Sequence, residues 1–65
     1  LPHILVNMLE DAYRLLTEDG YLILGGILNE KADQLLEDLE AHGFRLVQRV
    51  QLKGWTGLVT QKQED

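Results

Sequence analysis

Apolar positions in the first part of the chain recur at Ile4, Leu5, Met8, Leu9, Ala12, Leu15 and Leu16. Steps of three and four place them on one side of a helix, with Asn7, Glu10, Asp11 and Arg14 toward water. Pro2 suits the first turn, where a missing N–H costs nothing. Asp19-Gly20 ends the helix, and Gly20 fits the left-handed position beyond a helix end. The pattern then changes. Tyr21-Leu22-Ile23-Leu24 runs through Gly25-Gly26 to Ile27-Leu28 without alternation. Such a run predicts a strand covered on both faces, of the parallel-sheet kind. The glycine pair marks a close approach of backbone or the turn that ends the strand.

Asn29 offers an N-cap, with Glu30 in the first turn of a second helix. Ala32, Leu35, Leu36 and Leu39 point inward, while Glu30, Asp33, Glu37, Asp38 and Glu40 form the outer face. His42-Gly43 closes this helix. From Phe44 to Leu52 the residues Phe44, Leu46, Gln48, Val50 and Leu52 alternate with Arg45, Val47 and Arg49, as in a strand. Lys53-Gly54 makes a turn, and Trp55 to Gln61 returns as an antiparallel neighbour. The chain ends in a charged stretch, Gln61 to Asp65. The order is therefore α-β-α-β-β. The first strand and the hairpin share one mixed sheet, the helix-linked strands running parallel through a right-handed crossover. With both helices on one side, the other sheet face is bare, which predicts a missing cover.

Composition narrows the function classes. Sixty-five residues allow one domain, 1–65, and a chain of this size buries only about 60% of its unfolded surface. There is no Cys, so disulfides, thiolate metal sites and a cysteine nucleophile are excluded. His3 and His42 are far apart and lack ligand spacing, so no metal site is expected. Eleven acidic residues against six scattered basic ones give a net charge of -5, which disfavours nucleic acid. The longest apolar run is short of the roughly 20 residues of a membrane helix. Without a signal peptide the expected location is cytoplasmic. The chain opens without Met and with a helix already under way, so it reads as the back half of a larger α/β domain.

Particular residues carry a resemblance. Thr17-Glu18-Asp19-Gly20-Tyr21-Leu22-Ile23-Leu24-Gly25-Gly26-Ile27-Leu28, preceded by the helix from Leu1-Pro2, resembles the C-terminal part of class I S-adenosylmethionine-dependent methyltransferases. Gly25-Gly26-Ile27-Leu28, Gly43-Phe44 and Gly54-Trp55 stand in the order and spacing of the ribosomal protein L-11 methyltransferase (PrmA-like) group. The resemblance spans essentially the whole chain. It implies an α/β fold, namely the C-terminal portion of a class I methyltransferase Rossmann-like fold, a mixed sheet completed by an antiparallel terminal hairpin. It also implies S-adenosylmethionine as the cofactor of the intact protein, and methylation of amino groups on a basic ribosomal protein. The family's glycine-rich loop, its acidic residue after the second strand and its Asn motif at the end of the fourth strand are not in this chain. Asn7 lies mid-helix, and the family's Asn would fall just upstream of Leu1. No cofactor-binding residue is therefore assigned, and the segment alone is expected to bind no cofactor and to be inactive.

The candidate site is a substrate-pocket rim at Gly25, Gly26 and Ile27, at the carboxyl end of the first strand, where open α/β sheets bind ligands. The competing reading is a strand-to-helix turn needing flexible backbone. The spacing matches neither a P-loop nor a dinucleotide fingerprint. Trp55 is expected as the largest core anchor of the hairpin rather than a stacking platform. His42 reads as a helix-end residue and His3 as a first-turn residue. No orienting partner makes either a general base, so no catalytic residue is nominated. The acidic face of the second helix reads as solvated. A rival to the methyltransferase reading is a freestanding α/β interaction or dimerisation module, self-associating through the bare sheet face. A third reading is another class I methyltransferase with a small-molecule or nucleic-acid substrate.

Overall fold

The computed structural model describes residues 3–63. Pro2, Glu64 and Asp65, and with them the helix-start reading of Pro2, lie outside the described residues. Helix α1 spans His3–Leu15, strand β1 Tyr21–Leu28, helix α2 Asn29–Ala41, strand β2 Phe44–Leu52 and strand β3 Trp55–Lys62. The α-β-α-β-β order is the one the hydrophobic pattern predicts.

The sheet differs from the expectation. Its order is β1-β3-β2, and β3 pairs antiparallel with both neighbours. Among the described residues the sheet is therefore antiparallel, not mixed. The strands on either side of α2, β1 and β2, do run the same way, but β3 lies between them. The short Lys53-Gly54 turn forces β3 back beside β2, and Gly54 takes the left-handed φ (82°) that such a turn needs. β3 then occupies the centre and β1 an edge.

Two irregularities set which side chains face where. In β1 the register shifts between Leu24 and Ile27, with Leu24 opposite Leu58 and Ile27 opposite Thr56. β1 continues past the glycines to Leu28, so Gly25-Gly26 form a bulge inside the strand, not its end. Gly26 holds φ 67°, a conformation that glycine adopts without steric cost. In β2 the register shifts between Leu46 and Gln48. One extra residue inverts the alternation, because successive side chains point to opposite faces. Phe44 and Leu46 face the helices. Beyond the bulge Arg49 takes that side, while Val50 and Leu52 are exposed.

A single core gathers under both helices. Leu9 of α1, Leu39 of α2, Phe44 of β2 and Leu58 of β3 are buried together. Leu22, Leu24 and Ile27 of β1 pack against them. Thr56 and Thr60 are buried in the same sheet face with their hydroxyls satisfied. Thr60 donates to the Leu22 carbonyl at 2.8 Å, and Thr56 donates to Asn29 Oδ1 at 2.5 Å. Tyr13 fastens α1. Its ring meets Phe44 edge-on at 5.8 Å, its hydroxyl donates to the Gln63 carbonyl at 2.8 Å, and Lys62 Nζ lies 4.3 Å from the ring centre.

Among the described residues nothing covers the opposite sheet face. Ile23 is 70% exposed and Tyr21 56%, so β1 is covered on one face here, not two. Trp55 is 52% exposed on the same side, so it is no core anchor; Phe44 is the largest fully buried side chain. Trp55 shares its outward parity with Gly57 and Val59, away from buried Thr56, Leu58 and Thr60. The apolar stripe of α1 is also only partly used, since Ile4, Met8 and Leu15 stay exposed.

The helix ends follow local chemistry. After α1 it is Asp19 that takes the left-handed conformation, at φ 62°, not Gly20. Aspartate tolerates that region better than most residues. Gly20 is needed for space, because a side chain there would meet the Thr17 carbonyl at 2.9 Å. Asn29 does not cap α2. The cap residue is Leu28, whose side chain has no acceptor to offer, while the Asn29 side chain accepts from Thr56. At the far end Gly43 has φ 92°, and a methyl group there would run into the Tyr13 ring.

Candidate functional site

The expected rim occupies the carboxyl end of β1. Leu24 is the last ladder residue before the bulge, and Ile27 and Leu28 resume pairing with Thr56 and Trp55. The three rim residues divide. Ile27 turns into the helix-side core, so its side chain serves packing. Gly25 and Gly26 are exposed, and a methyl group built on either would meet nothing within 4 Å. Gly26 needs to be glycine for its backbone angle. Gly25 has no such need and no crowding, so its bare backbone is open to whatever approaches from outside.

Beside the bulge lies a hollow of about 230 Å³ lined by Gly26, Val50, Leu52, Trp55, Thr56 and Gly57. All of these sit at the end of the sheet where β1 and β2 finish and β3 starts. A larger hollow of about 510 Å³ opens at the opposite end, between Glu10, Tyr13, Glu40, Ala41, His42 and Gly43. His42 is held there by the bond from Nδ1 to the Asp38 carbonyl at 2.7 Å, as a helix-end residue would be. His3 is exposed on the first turn of α1. The acidic outer face of α2 is largely solvated, with Asp33 tied to Arg49 at 2.7 Å and Asp38 accepting from Gln34 at 3.2 Å. Among the described residues no three His, Asp or Glu side chains gather as a metal would require. No described helix is long and apolar enough to cross a membrane.

The glycine bulge is held by residues to which the sequence pattern assigns other roles. The Asn29 N–H donates to the Gly54 carbonyl at 3.0 Å, extending the β1–β3 contact one step past the strand. The Asn29 side chain accepts the bond from buried Thr56. Read locally, Asn29 looks like a cap, because the partner that claims its side chain is 27 residues away. Trp55, expected in the core, instead walls the hollow beside Gly26. The strict alternation of Thr56, Leu58 and Thr60 is the signal that assigns it to the outer face.

The chain has close relatives. The model of the family described as Ribosomal protein L11 methyltransferase (PrmA) matches residues 1–63. Similar curated proteins, each called ribosomal protein L11 methyltransferase, come from Streptococcus mutans, Streptococcus pyogenes and Staphylococcus aureus. The S. mutans protein is 45% identical over 62 residues, which is 95% of this chain and 20% of that protein. The S. pyogenes protein is 45% identical over 65 residues, 100% of this chain and 20% of its own length. The S. aureus protein is 42% identical over 62 residues, 95% of this chain and 20% of its own. No solved structure matches. This chain thus spans about a fifth of the length of these relatives. A match across nearly every residue, with the glycine bulge and the hairpin in it, establishes that the chain belongs to the ribosomal protein L11 methyltransferase (PrmA) family.

Proposed function

We propose that this chain is the C-terminal portion of a class I, S-adenosylmethionine-dependent methyltransferase of Rossmann-like fold, whose intact form acts in the cytoplasm on amino groups of a ribosomal protein. The observation that carries this reading is the family match over residues 1–63. The free edge of β1 and the bare outer sheet face are what a segment of a larger sheet presents, since an unpaired edge invites another strand. The cofactor would supply the transferable methyl group. This chain offers no glycine-rich loop after a first strand and no acidic ribose partner, so binding of the cofactor falls to the rest of the protein. The part left to residues 1–65 is to complete the sheet and wall the substrate side with the exposed backbone of Gly25 and Gly26.

A chimera tests this reading. The matching fifth of the S. mutans relative is replaced by this chain, and methyl transfer to ribosomal protein L11 is followed. Transfer by the chimera is expected. Gly25→Ala should cut kcat/KM for the protein substrate about 10-fold, because the added methyl group would stand in the space assigned here to the substrate, a loss near 1.4 kcal/mol. Its thermal midpoint should be unchanged, since the added atom meets nothing among the described residues. A folded chimera without transfer overturns the enzymatic reading and leaves a self-associating α/β module as its rival. An active chimera indifferent to Gly25→Ala overturns the rim.

A further inference from the structure

The exposed bulge at Gly25-Gly26 has no side chain of its own to hold it. Its shape is set at two flanks. On the amino side the ladder pair Leu24–Leu58 precedes the shift. On the carboxyl side three consecutive residues are tied to the start of β3: Ile27 opposite Thr56, Leu28 opposite Trp55, and the Asn29 N–H on the Gly54 carbonyl at 3.0 Å. One side-chain bond braces that second flank. Thr56 Oγ1 donates to Asn29 Oδ1 at 2.5 Å. Thr56 is buried and also lines the hollow beside Gly26. A buried hydroxyl deprived of its acceptor is costly, so the pair holds Asn29 over β3. This bond gives Asn29 a use that capping does not explain, since the first turn of α2 carries no side-chain cap.

We propose that Asn29 and Thr56 are a positioning pair. Their bond fixes how far the Gly25-Gly26 backbone projects at the carboxyl end of the sheet, and so where the methyl-accepting amino group of a protein substrate is presented. This rests on the reading of the two glycines as a pocket rim. Neither residue touches the reacting atoms; both act through the bulge. A misplacement of about 1 Å at a reacting centre is enough to lower a rate about 100-fold, so a bond this close to the rim has leverage.

The test uses the same chimera with Asn29→Ala, Thr56→Val and the conservative changes Asn29→Asp and Thr56→Ser. The probes are ribosomal protein L11 and S-adenosylmethionine. Asn29→Ala and Thr56→Val are expected to lower kcat and kcat/KM for the protein about 10-fold and leave KM for the cofactor unchanged. Asn29→Asp and Thr56→Ser keep an acceptor and a donor, and should restore the original value. The double variant Asn29→Ala with Thr56→Val should be no worse than either single one, because the two share one bond. A drop in thermal midpoint with kcat and both KM values unchanged would mean a purely structural bond and would overturn the proposal. Selective ¹⁵N-glycine labelling gives a readout independent of turnover. The Gly25 and Gly26 amide resonances should move in Asn29→Ala and return in Asn29→Asp; if they do not move, the pair does not set the bulge. An unsubstituted chimera that fails to methylate, with those resonances still responding, would sink the enzymatic reading on which the proposal rests and show only the mechanical link between the pair and the bulge.

Discussion

The two faces of the sheet are built from the same kinds of residue and end in opposite environments. Toward the helices, Phe44 and Leu58 are completely buried. On the other side, Ile23 is 70% and Leu52 71% exposed. Burying a large aliphatic side chain is worth about 1.5–3 kcal/mol, so each exposed one forgoes much of that. A strand sequence adapted to one wet face would have put polar residues there. Here β1 offers Tyr21, Ile23 and Leu28, and β2 offers Val50 and Leu52. The extra residue near Val47 accounts for part of this. It turns Val50 and Leu52 away from the helices and brings Arg49 toward them. The outer face is thus not a failed core but a second apolar surface, and the ladder neighbours Leu28, Trp55 and Leu52 carry it up to the glycine bulge.

The comparison breaks most sharply at Phe44. Phe44→Ala should cost about 3–5 kcal/mol in urea unfolding of the chimera, since it empties the centre of the helix-side core. A cost below about 1 kcal/mol would show that the helices do not enclose this position. The outer face provides the counterpart. Ile23→Asp should cost about 3 kcal/mol in the chimera, where the rest of the protein is expected to cover that face and an unpaired carboxylate would be buried. If the face is open to water in the chimera, the same change should fall within about 0.5 kcal/mol, as surface substitutions do. That outcome would return weight to self-association, to be read by sedimentation of the unsubstituted chain.

What the sequence revealed of these faces follows the range of the interactions involved. The helices, the strands and the turn at Lys53-Gly54 were legible because period and turn chemistry are local. The position of β3 between the other two was not, since ladder partners such as Ile23 and Val59 are chosen across the chain. The unbroken apolar run of β1 reads as a strand covered on both sides. The run is real, but this chain supplies only one of the covers. Bulges defeat alternation in the same way, because Val47 looks ordinary until the register is known. At the candidate site the glycines were visible as glycines. Their division into one with a left-handed φ and one merely exposed was not, and neither was the tie from Thr56 to Asn29.

Arg49 offers the finest test of the two-face picture. The β2 bulge sets it on the helix side opposite Leu58, where an apolar residue would be expected. Its Nη1 donates to Asp33 at 2.7 Å, but Asp33 is largely exposed, and the buried Nε finds no partner among the described residues. A pair with one end in water is worth about 0–1 kcal/mol, and an unsatisfied buried donor works against it. Asp33→Asn should therefore lower stability by no more than about 0.5 kcal/mol, an effect that shrinks further as salt rises. Arg49→Met keeps the aliphatic stem against the core and removes the orphaned N–H. It should be neutral or stabilising by up to about 1 kcal/mol, measured by urea unfolding of the chimera. A loss above about 2 kcal/mol would mean that the guanidinium is holding α2 to the sheet, and that the polar residue exchanged inward by the bulge is a structural tie rather than the cost of turning Val50 and Leu52 outward.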